Sequence, residues 1–188
     1  GDEIAIAGEI NCDDLNESSA STTDPVELSA LVTALDDRVF EVLEKIFQAG
    51  KIPIVIGGGH NNAYPIIKAA ASGLEKNLNI INIDPHADLR ECDRRHSGNG
   101  FSQALKEDLM DYYLQIGLHE SYNNEYILDT YKNLVGLIKY YSYDDYLRKD
   151  WTMEELEHFI NDKFKDQSVG LELDADAIAR KALGIAAE

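Results

Sequence analysis

Residues 78–90 read Leu-Asn-Ile-Ile-Asn-Ile-Asp-Pro-His-Ala-Asp-Leu-Arg, and this stretch decides the predicted fold. Its first part, 78–83, is a largely apolar run that predicts a buried strand. Alternate side chains of a strand share one face, so Asp84, His86 and Asp88 can point the same way where the strand ends. Carboxylates mixed with imidazole suit a divalent ion such as manganese, and suit zinc less well without thiolates.

Two further strand ends carry the same kinds of side chain. Asp174 and Asp176 follow an apolar strand at 169–173, and His60 follows a glycine run after a strand at 52–56. Ligands bind at the carboxyl ends of strands in open α/β sheets. Each motif alone has a simpler explanation as a turn, a loop start or an ordinary polar residue. The three together favour a metal centre.

Four carboxylates in one place predict two divalent ions. Two such ions carry about four positive charges, and at a separation of roughly 3.5–4 Å they can hold a bridging water. Metal binding lowers the pKa of that water, so hydroxide becomes available near neutral pH. The sequence therefore predicts a hydrolytic two-metal centre.

Composition narrows the classes of partner. The 188 residues are enough for a single domain, 1–188, with a substantial core. The net charge of −18 argues against nucleic acid and anionic membranes as partners. Two cysteines without CxxC spacing, and no signal peptide or long apolar span, predict a cytoplasmic protein.

Strand and helix patterns alternate along the chain. This alternation predicts an α/β protein with a mostly parallel sheet covered on both faces. The predicted strands are 3–7, 52–56, 78–83, 112–117, 134–140 and 169–173. The predicted helices are 25–49, 62–72, 102–110, 121–131, 152–164 and 177–188. Residues 11–23 and 91–100 are expected to be loops.

Taken in order, Gly57-Gly58-Gly59-His60, Asp-x-His-x-Asp at 84–88 and Asp-x-Asp at 174–176 resemble the signature of the ureohydrolases: arginase, agmatinase and formimidoylglutamase. The resemblance implies a three-layer α/β/α fold and a binuclear manganese centre. The metal ligands that it implies are His60, Asp84, His86, Asp88, Asp174 and Asp176. Within the family, Asp88-Leu89-Arg90 and His96-Ser97-Gly98-Asn99-Gly100-Phe101 look most like formimidoylglutamase.

Several residues are candidates for catalysis or substrate binding. Asp88 is a predicted catalytic residue as well as a ligand, and His96 can shuttle a proton to the leaving nitrogen, although a surface-loop role explains it equally well. Arg90 can bind a carboxylate bidentately or pair with an aspartate of this acidic chain. Ser97 and Asn99 are predicted substrate contacts, with a role in a loop turn as the alternative for Asn99.

The predicted function is manganese-dependent hydrolysis of a C–N bond in a linear amidine. The preferred substrate is formimidoylglutamate, giving glutamate and formamide by attack of a metal-bridging hydroxide, which is a step of histidine catabolism. The alternatives are an agmatinase-like or arginase-like hydrolase that releases urea, and a non-catalytic metal-binding member of the family. The resemblance also implies a small amino-acid-derived substrate and a homo-oligomer. Because family members continue well past the Asp-x-Asp motif, we expect the chain to be truncated at its C-terminus.

Overall fold

A computed structural model describes residues 4–178 of the chain. Its centre is a four-stranded sheet in the order β3-β2-β1-β4, and every neighbouring pair is parallel. The strands are β1 (Leu78–Ile83), β2 (Met110–Leu118), β3 (Ile138–Ser142) and β4 (Val169–Leu173). Parallel neighbours need crossover connections, which place helices on the faces of the sheet.

Helices cover both faces of this sheet. Within residues 4–178 they are α1 (Asp13–Ala20), α2 (Pro25–Gln48), α3 (Ala63–Leu74), α4 (Gly100–Lys106), α5 (Glu125–Asn133), α6 (Tyr143–Arg148) and α7 (Met153–Lys163). The face that carries Ile80 and Tyr113 packs against α3, α4 and α5, and the opposite face packs against α7. The predicted three-layer α/β/α arrangement is confirmed. No helix in this part of the chain combines the length and apolar character needed to cross a membrane.

Capping residues in the sequence located the starts of α2 and α7. The Asp24 side chain accepts a hydrogen bond from the Val26 N–H at 2.8 Å, and Pro25 is the first residue of α2. Thr152 and Glu155 form a capping box at the start of α7. Both devices satisfy backbone N–H groups that have no partner within the helix, which is why sequence alone locates them.

Two predicted strands are not strands in the described residues. Residues 4–7 and 52–56 have no regular structure, and their apolar side chains lie in solvent, as shown by Ile6 at 97% and Ile52 at 91% exposure. An alternating apolar segment becomes a strand only when a neighbour completes its hydrogen-bond ladder. None of residues 4–178 forms a ladder with either segment.

Residues 11–23 were predicted to be a loop, and they contain α1. Arg38 of α2 binds both carboxylate oxygens of Asp14 at 2.7 and 2.6 Å. This pairing lowers the pKa of Asp14 to about 2. A contact with a distant helix therefore fixes a segment whose polar composition suggested a loop.

Other boundaries differ by a few residues. β3 begins at Ile138 because Leu137 donates its N–H to the Leu134 carbonyl at 3.0 Å, in a turn that contains Gly136 at φ +101°. The short helix α6 was not predicted. The predicted helix 177–188 lies almost wholly outside the described residues.

Candidate metal centre

The six predicted ligand side chains converge at the carboxyl edge of the sheet. Three come from the segment after β1, two from the turn after β4, and one from a 3₁₀ turn that precedes α3. The segment of residues 84–88 is called the β1 loop below, and the segment of residues 174–176 the β4 turn. The side chains brought together are those of His60, Asp84, His86, Asp88, Asp174 and Asp176.

His60 turns one nitrogen towards three carboxylates. Its Nδ1 lies 3.1 Å from Asp84 Oδ2, 2.9 Å from Asp88 Oδ2 and 3.1 Å from Asp174 Oδ2, but it forms no well-aligned hydrogen bond. Burial opposes a charge on His60, yet the adjacent Asp84 and Asp88 carboxylates prevail and raise its pKa to about 10. Neighbouring ligands of an octahedral ion with bonds of about 2.1 Å lie about 3 Å apart. The observed separations fit such an ion.

Asp84 joins this group to a second one. Its Oδ1 lies 3.5 Å from His86 Nδ1, and that nitrogen lies 3.0 Å from Asp176 Oδ2. The side chain of Asp84 is 0% exposed, so one fully buried carboxylate presents Oδ2 to His60 and Oδ1 to His86. A carboxylate shared by two sets of ligand atoms matches what a pair of close divalent ions requires.

Local backbone geometry places these side chains. In the β1 loop, the His86 N–H donates to Asp84 Oδ1 at 2.7 Å, and in the β4 turn, the Asp176 N–H donates to Asp174 Oδ1 at 3.1 Å. Asp88 has a φ of +49°, a left-handed conformation that aspartate tolerates better than most residues. The two aspartate-led turns follow parallel neighbouring strands, so they meet at the same edge.

The glycine run before His60 is needed for close packing. Gly58 has a φ of +80°, and a Cβ at this position would collide with the side chain of Asn62. Asn62 in turn donates to the Gly57 carbonyl at 3.3 Å. Glycine therefore lets the chain fold back on the turn that carries His60.

The cluster concentrates negative charge. Burial, with the neighbouring Asp84 carboxylate, raises the pKa of Asp88. Burial, with the charges of Asp174 and Asp84, also raises the pKa of Asp176, and burial raises that of Glu172 in β4. Each raised pKa reflects a cost of collecting carboxylates away from water. Two divalent cations would offset the four ligand charges, so the donor set fits a binuclear site.

The residues predicted to act on the substrate lie in the loop before α4. His96 Nδ1 accepts a hydrogen bond from the Gly98 N–H at 3.1 Å, so the neutral ring carries its proton on Nε2. Burial, with the positive charge of Arg90, lowers the pKa of His96. Arg90 and Ser97 are exposed, and the Arg90 side chain lies directly across Gly98.

Asn99 shapes the loop before α4, which is the role that the sequence analysis gave as the alternative to a substrate contact. It is 0% exposed, and its Nδ2 donates to the carbonyls of Glu91 and Arg94 at 3.1 and 2.6 Å. Its Oδ1 accepts from Arg95 Nη1 at 2.7 Å and from the His96 N–H at 3.2 Å. Both of its N–H groups are used, so in this conformation Asn99 shapes the loop and has no donor left for a substrate.

Arg95 was not singled out from the sequence. Its guanidinium binds the buried Asp36 of α2 at 2.7 and 3.2 Å and donates to the Asn61 carbonyl at 3.0 Å, next to His60. It also stacks on Tyr64, 4.8 Å from the ring centroid. The available sequence signal was Asp36, a charged residue between Leu35 and Val39 on the apolar side of α2. A charge in that position needs a buried partner.

An aromatic surface also lies beside the cluster. The ring of His86 stacks on Tyr122 at 5.5 Å between centroids, and Tyr122 stacks on His119 at 4.9 Å. Tyr122 remains 58% exposed. Tyr122 was not among the residues singled out from the sequence.

The fold and this edge together describe an α/β/α protein with a candidate binuclear metal centre at the carboxyl ends of parallel strands. The sequence model of the Arginase family matches residues 3–183 of the chain. The chain therefore belongs to the Arginase family.

Comparison with individual proteins is consistent with this assignment. The chain is 35% identical to the formimidoylglutamase of Macrococcus caseolyticus over 121 residues, which cover 64% of this chain and 38% of that protein. It therefore spans well under half the length of this relative. A crystal structure of arginase from Bacillus cereus superposes with a TM-score of 0.67 at 21% sequence identity. The match covers 81% of this chain and 57% of the arginase chain. A structure of a Trypanosoma cruzi formiminoglutamase variant with Mn²⁺ superposes with a TM-score of 0.65 at 21% sequence identity. That match covers 78% of this chain and 49% of the Trypanosoma cruzi chain.

Proposed function

We propose that the chain is a manganese-dependent ureohydrolase whose substrate is formimidoylglutamate. The products would be glutamate and formamide, formed by hydrolysis of the C–N bond of a linear amidine. The name of the Macrococcus caseolyticus relative supports this choice of substrate, and the Mn²⁺ in the Trypanosoma cruzi structure supports this choice of metal.

The observation that carries the proposal is the position of His60. One buried nitrogen within 3.1 Å of three carboxylate oxygens has more acceptors than a single proton can satisfy. His60, Asp84, Asp88 and Asp174 would hold one ion. Asp84, His86 and Asp176 would hold the other, with the Asp84 carboxylate between them.

The ions would supply Lewis acidity and activate a water for attack on the amidine carbon. The chain's own groups would bind and orient the substrate. Asp88, as a ligand, would help to hold the ion beside His60. The exposed guanidinium of Arg90, with the nearby Ser97 hydroxyl, would hold a substrate carboxylate. Burial, with the positive charge of Arg90, lowers the pKa of His96. In its neutral form the ring carries a proton on Nε2, so Nε2–H could donate a hydrogen bond to the leaving nitrogen.

A product assay tests the proposal. The chain is incubated with Mn²⁺ and, separately, with formimidoylglutamate, agmatine or arginine, while formamide and urea are measured. We expect formamide from formimidoylglutamate. The Macrococcus caseolyticus enzyme is the positive control. The variant Asp174→Asn should lose turnover, whereas Asp129→Asn, which changes an exposed aspartate of α5, should retain it.

Each other outcome has a definite meaning. Urea from agmatine or arginine would replace the proposed substrate by a guanidine. Tight Mn²⁺ binding without product from any of the three substrates would identify a non-catalytic metal-binding protein. Equal turnover by Asp174→Asn and the unsubstituted chain would show that the metal centre takes no part in the reaction.

A further inference from the structure

A cluster of fully buried polar side chains lies beneath the β1 loop. Asn82 of β1 and Gln115 of β2 are paired in register, and Tyr113 precedes Gln115 by two residues on the same face of the sheet. All three side chains are 0% exposed. Polar groups in such a position are costly unless their hydrogen bonds are satisfied, so the bonds that they form show what the cluster supports.

The cluster holds the backbone of the β1 loop. Gln115 Nε2 donates to the carbonyl oxygens of Asp84 and His86 at 2.5 and 2.9 Å. Tyr113 Oη lies 3.0 Å from the carbonyl oxygen of Ala87. Side chains of β2 thus reach three carbonyls within four consecutive residues, in the segment that supplies half of the candidate ligands.

Asn82 keeps the cluster in one arrangement. Its Nδ2 lies 3.0 Å from Tyr113 Oη, 3.1 Å from Gln115 Oε1 and 3.4 Å from Asp84 Oδ2. Tyr113 Oη also lies 2.5 Å from Gln115 Oε1. Asn82 Nδ2 donates to the Gln115 oxygen, and Gln115 Nε2 donates to two loop carbonyls. The Gln115 amide therefore cannot flip without breaking several bonds, so its N–H groups stay directed at the loop.

We propose that Gln115 is a positioning residue for the candidate metal centre. With Asn82 and Tyr113, it fixes the β1 loop in its ligand-presenting shape in the absence of a cation. The inference rests on the proposed function for the claim that the loop binds metal. Residues that orient ligands without touching the metal typically change its affinity 10–100-fold when they are replaced.

The test uses three variants of the full chain. Gln115→Met keeps the size of the side chain and removes both donors to the loop. Tyr113→Phe removes one hydroxyl and is the milder variant if Gln115→Met does not fold. Leu114→Ala is the matched control, because Leu114 is also 0% exposed but faces the other side of the same strand. Mn²⁺ affinity is measured by electron paramagnetic resonance of the free ion, and amide hydrogen exchange of residues 84–90 is measured in chelator.

We expect Gln115→Met to lose about 10–100-fold in Mn²⁺ affinity and to exchange faster in the β1 loop. Tyr113→Phe should change both quantities in the same direction by less. Leu114→Ala should melt earlier with nearly unchanged affinity. Unchanged affinity and unchanged loop exchange in Gln115→Met would overturn the inference, as would an equal loss of affinity in Leu114→Ala. If the unsubstituted chain binds no Mn²⁺, the proposed function fails, and the exchange measurement in chelator still decides whether Gln115 holds the loop.

Discussion

The β1 loop and the β4 turn carry the same side-chain chemistry on the same kind of turn, but the sheet holds them very differently. In each, an aspartate accepts a hydrogen bond from the N–H group two residues later. Asp84 follows a strand with neighbours on both sides, and its side chain is 0% exposed. Asp174 and Asp176 follow β4, which pairs only with β1 among the described strands, and their side chains are 24% and 46% exposed.

This difference indicates which part of the candidate metal centre the protein holds in place without bound cations. Hydrogen bonds from β2 fix the β1 loop, whereas the β4 turn is attached to the sheet chiefly by the Asp174 N–H, which donates to the Ile83 carbonyl at 3.1 Å. Repulsion among the carboxylates acts on both segments. We therefore expect bound cations to matter most for the position of the β4 turn.

The largest expected effect comes from removing the shared ligand. Asp84 faces both groups of ligand atoms, and Asp176 faces one. Elemental analysis after saturation with Mn²⁺ and removal of free ions should give about two ions per unsubstituted chain, none for Asp84→Asn and one for Asp176→Asn. Equal metal content in the two variants would show that Asp84 does not join two sites.

A second comparison concerns the stability contributed by two paired residues of neighbouring strands. Ile81 of β1 pairs in register with Leu171 of β4, and they are 8% and 67% exposed. Ile81→Ala should cost about 2–5 kcal/mol of unfolding free energy, because it leaves a cavity in the core. Leu171→Ala should stay within about 0.5 kcal/mol, as is usual for exposed positions.

Urea denaturation of both variants in chelator measures this difference without a contribution from metal. Similar costs for the two substitutions would mean that the outer surface of β4 is covered in solution. The 67% exposure of Leu171 would then not describe the protein in solution.

Metal removal should separate the two segments directly. A ligand at a hundredfold excess over its dissociation constant stabilises the folded state by about 2.7 kcal/mol. For a chain of this size that corresponds to a melting shift of about 5–11 °C. In hydrogen exchange, chelator should accelerate the amides of the β4 turn more than those of the β1 loop. Faster exchange in the β1 loop than in the β4 turn would reverse the proposed order of rigidity.

The same contrast explains what the sequence was able to predict. The predicted strand 78–83 coincides with β1 (Leu78–Ile83), because a buried central strand shows its apolar pattern locally. The segments 4–7 and 52–56 have a similar pattern, but strand formation depends on a partner that local sequence does not specify. Capping residues such as Asp24 act within a few residues, so the start of α2 was predictable.

The candidate site shows a similar division. The end of the predicted strand placed Asp84, His86 and Asp88 at one edge of the sheet. An aspartate-led turn and the left-handed backbone of Asp88, and not strand alternation, direct their side chains. The roles of Gln115 and Arg95 depend on contacts between residues far apart in the sequence. A polar residue inside an apolar strand is the available local sign of such a role, but it does not name the partner.

The smallest expected effect lies outside both segments and serves as a reference for them. Asp24→Ala removes the acceptor for the Val26 N–H at the start of α2, and the loss of such a cap typically costs about 1 kcal/mol. Because α2 packs on α3 and not on the β1 loop or the β4 turn, the melting temperature should fall by a few degrees at most while Mn²⁺ affinity stays constant. Thermal melts with Mn²⁺ and with chelator should therefore shift by the same amount. If Asp24→Ala lowers the melt much more with Mn²⁺ than with chelator, α2 is coupled to the metal centre. The Asp36–Arg95 pair, which links α2 to the turn of His60, would then be the route of that coupling.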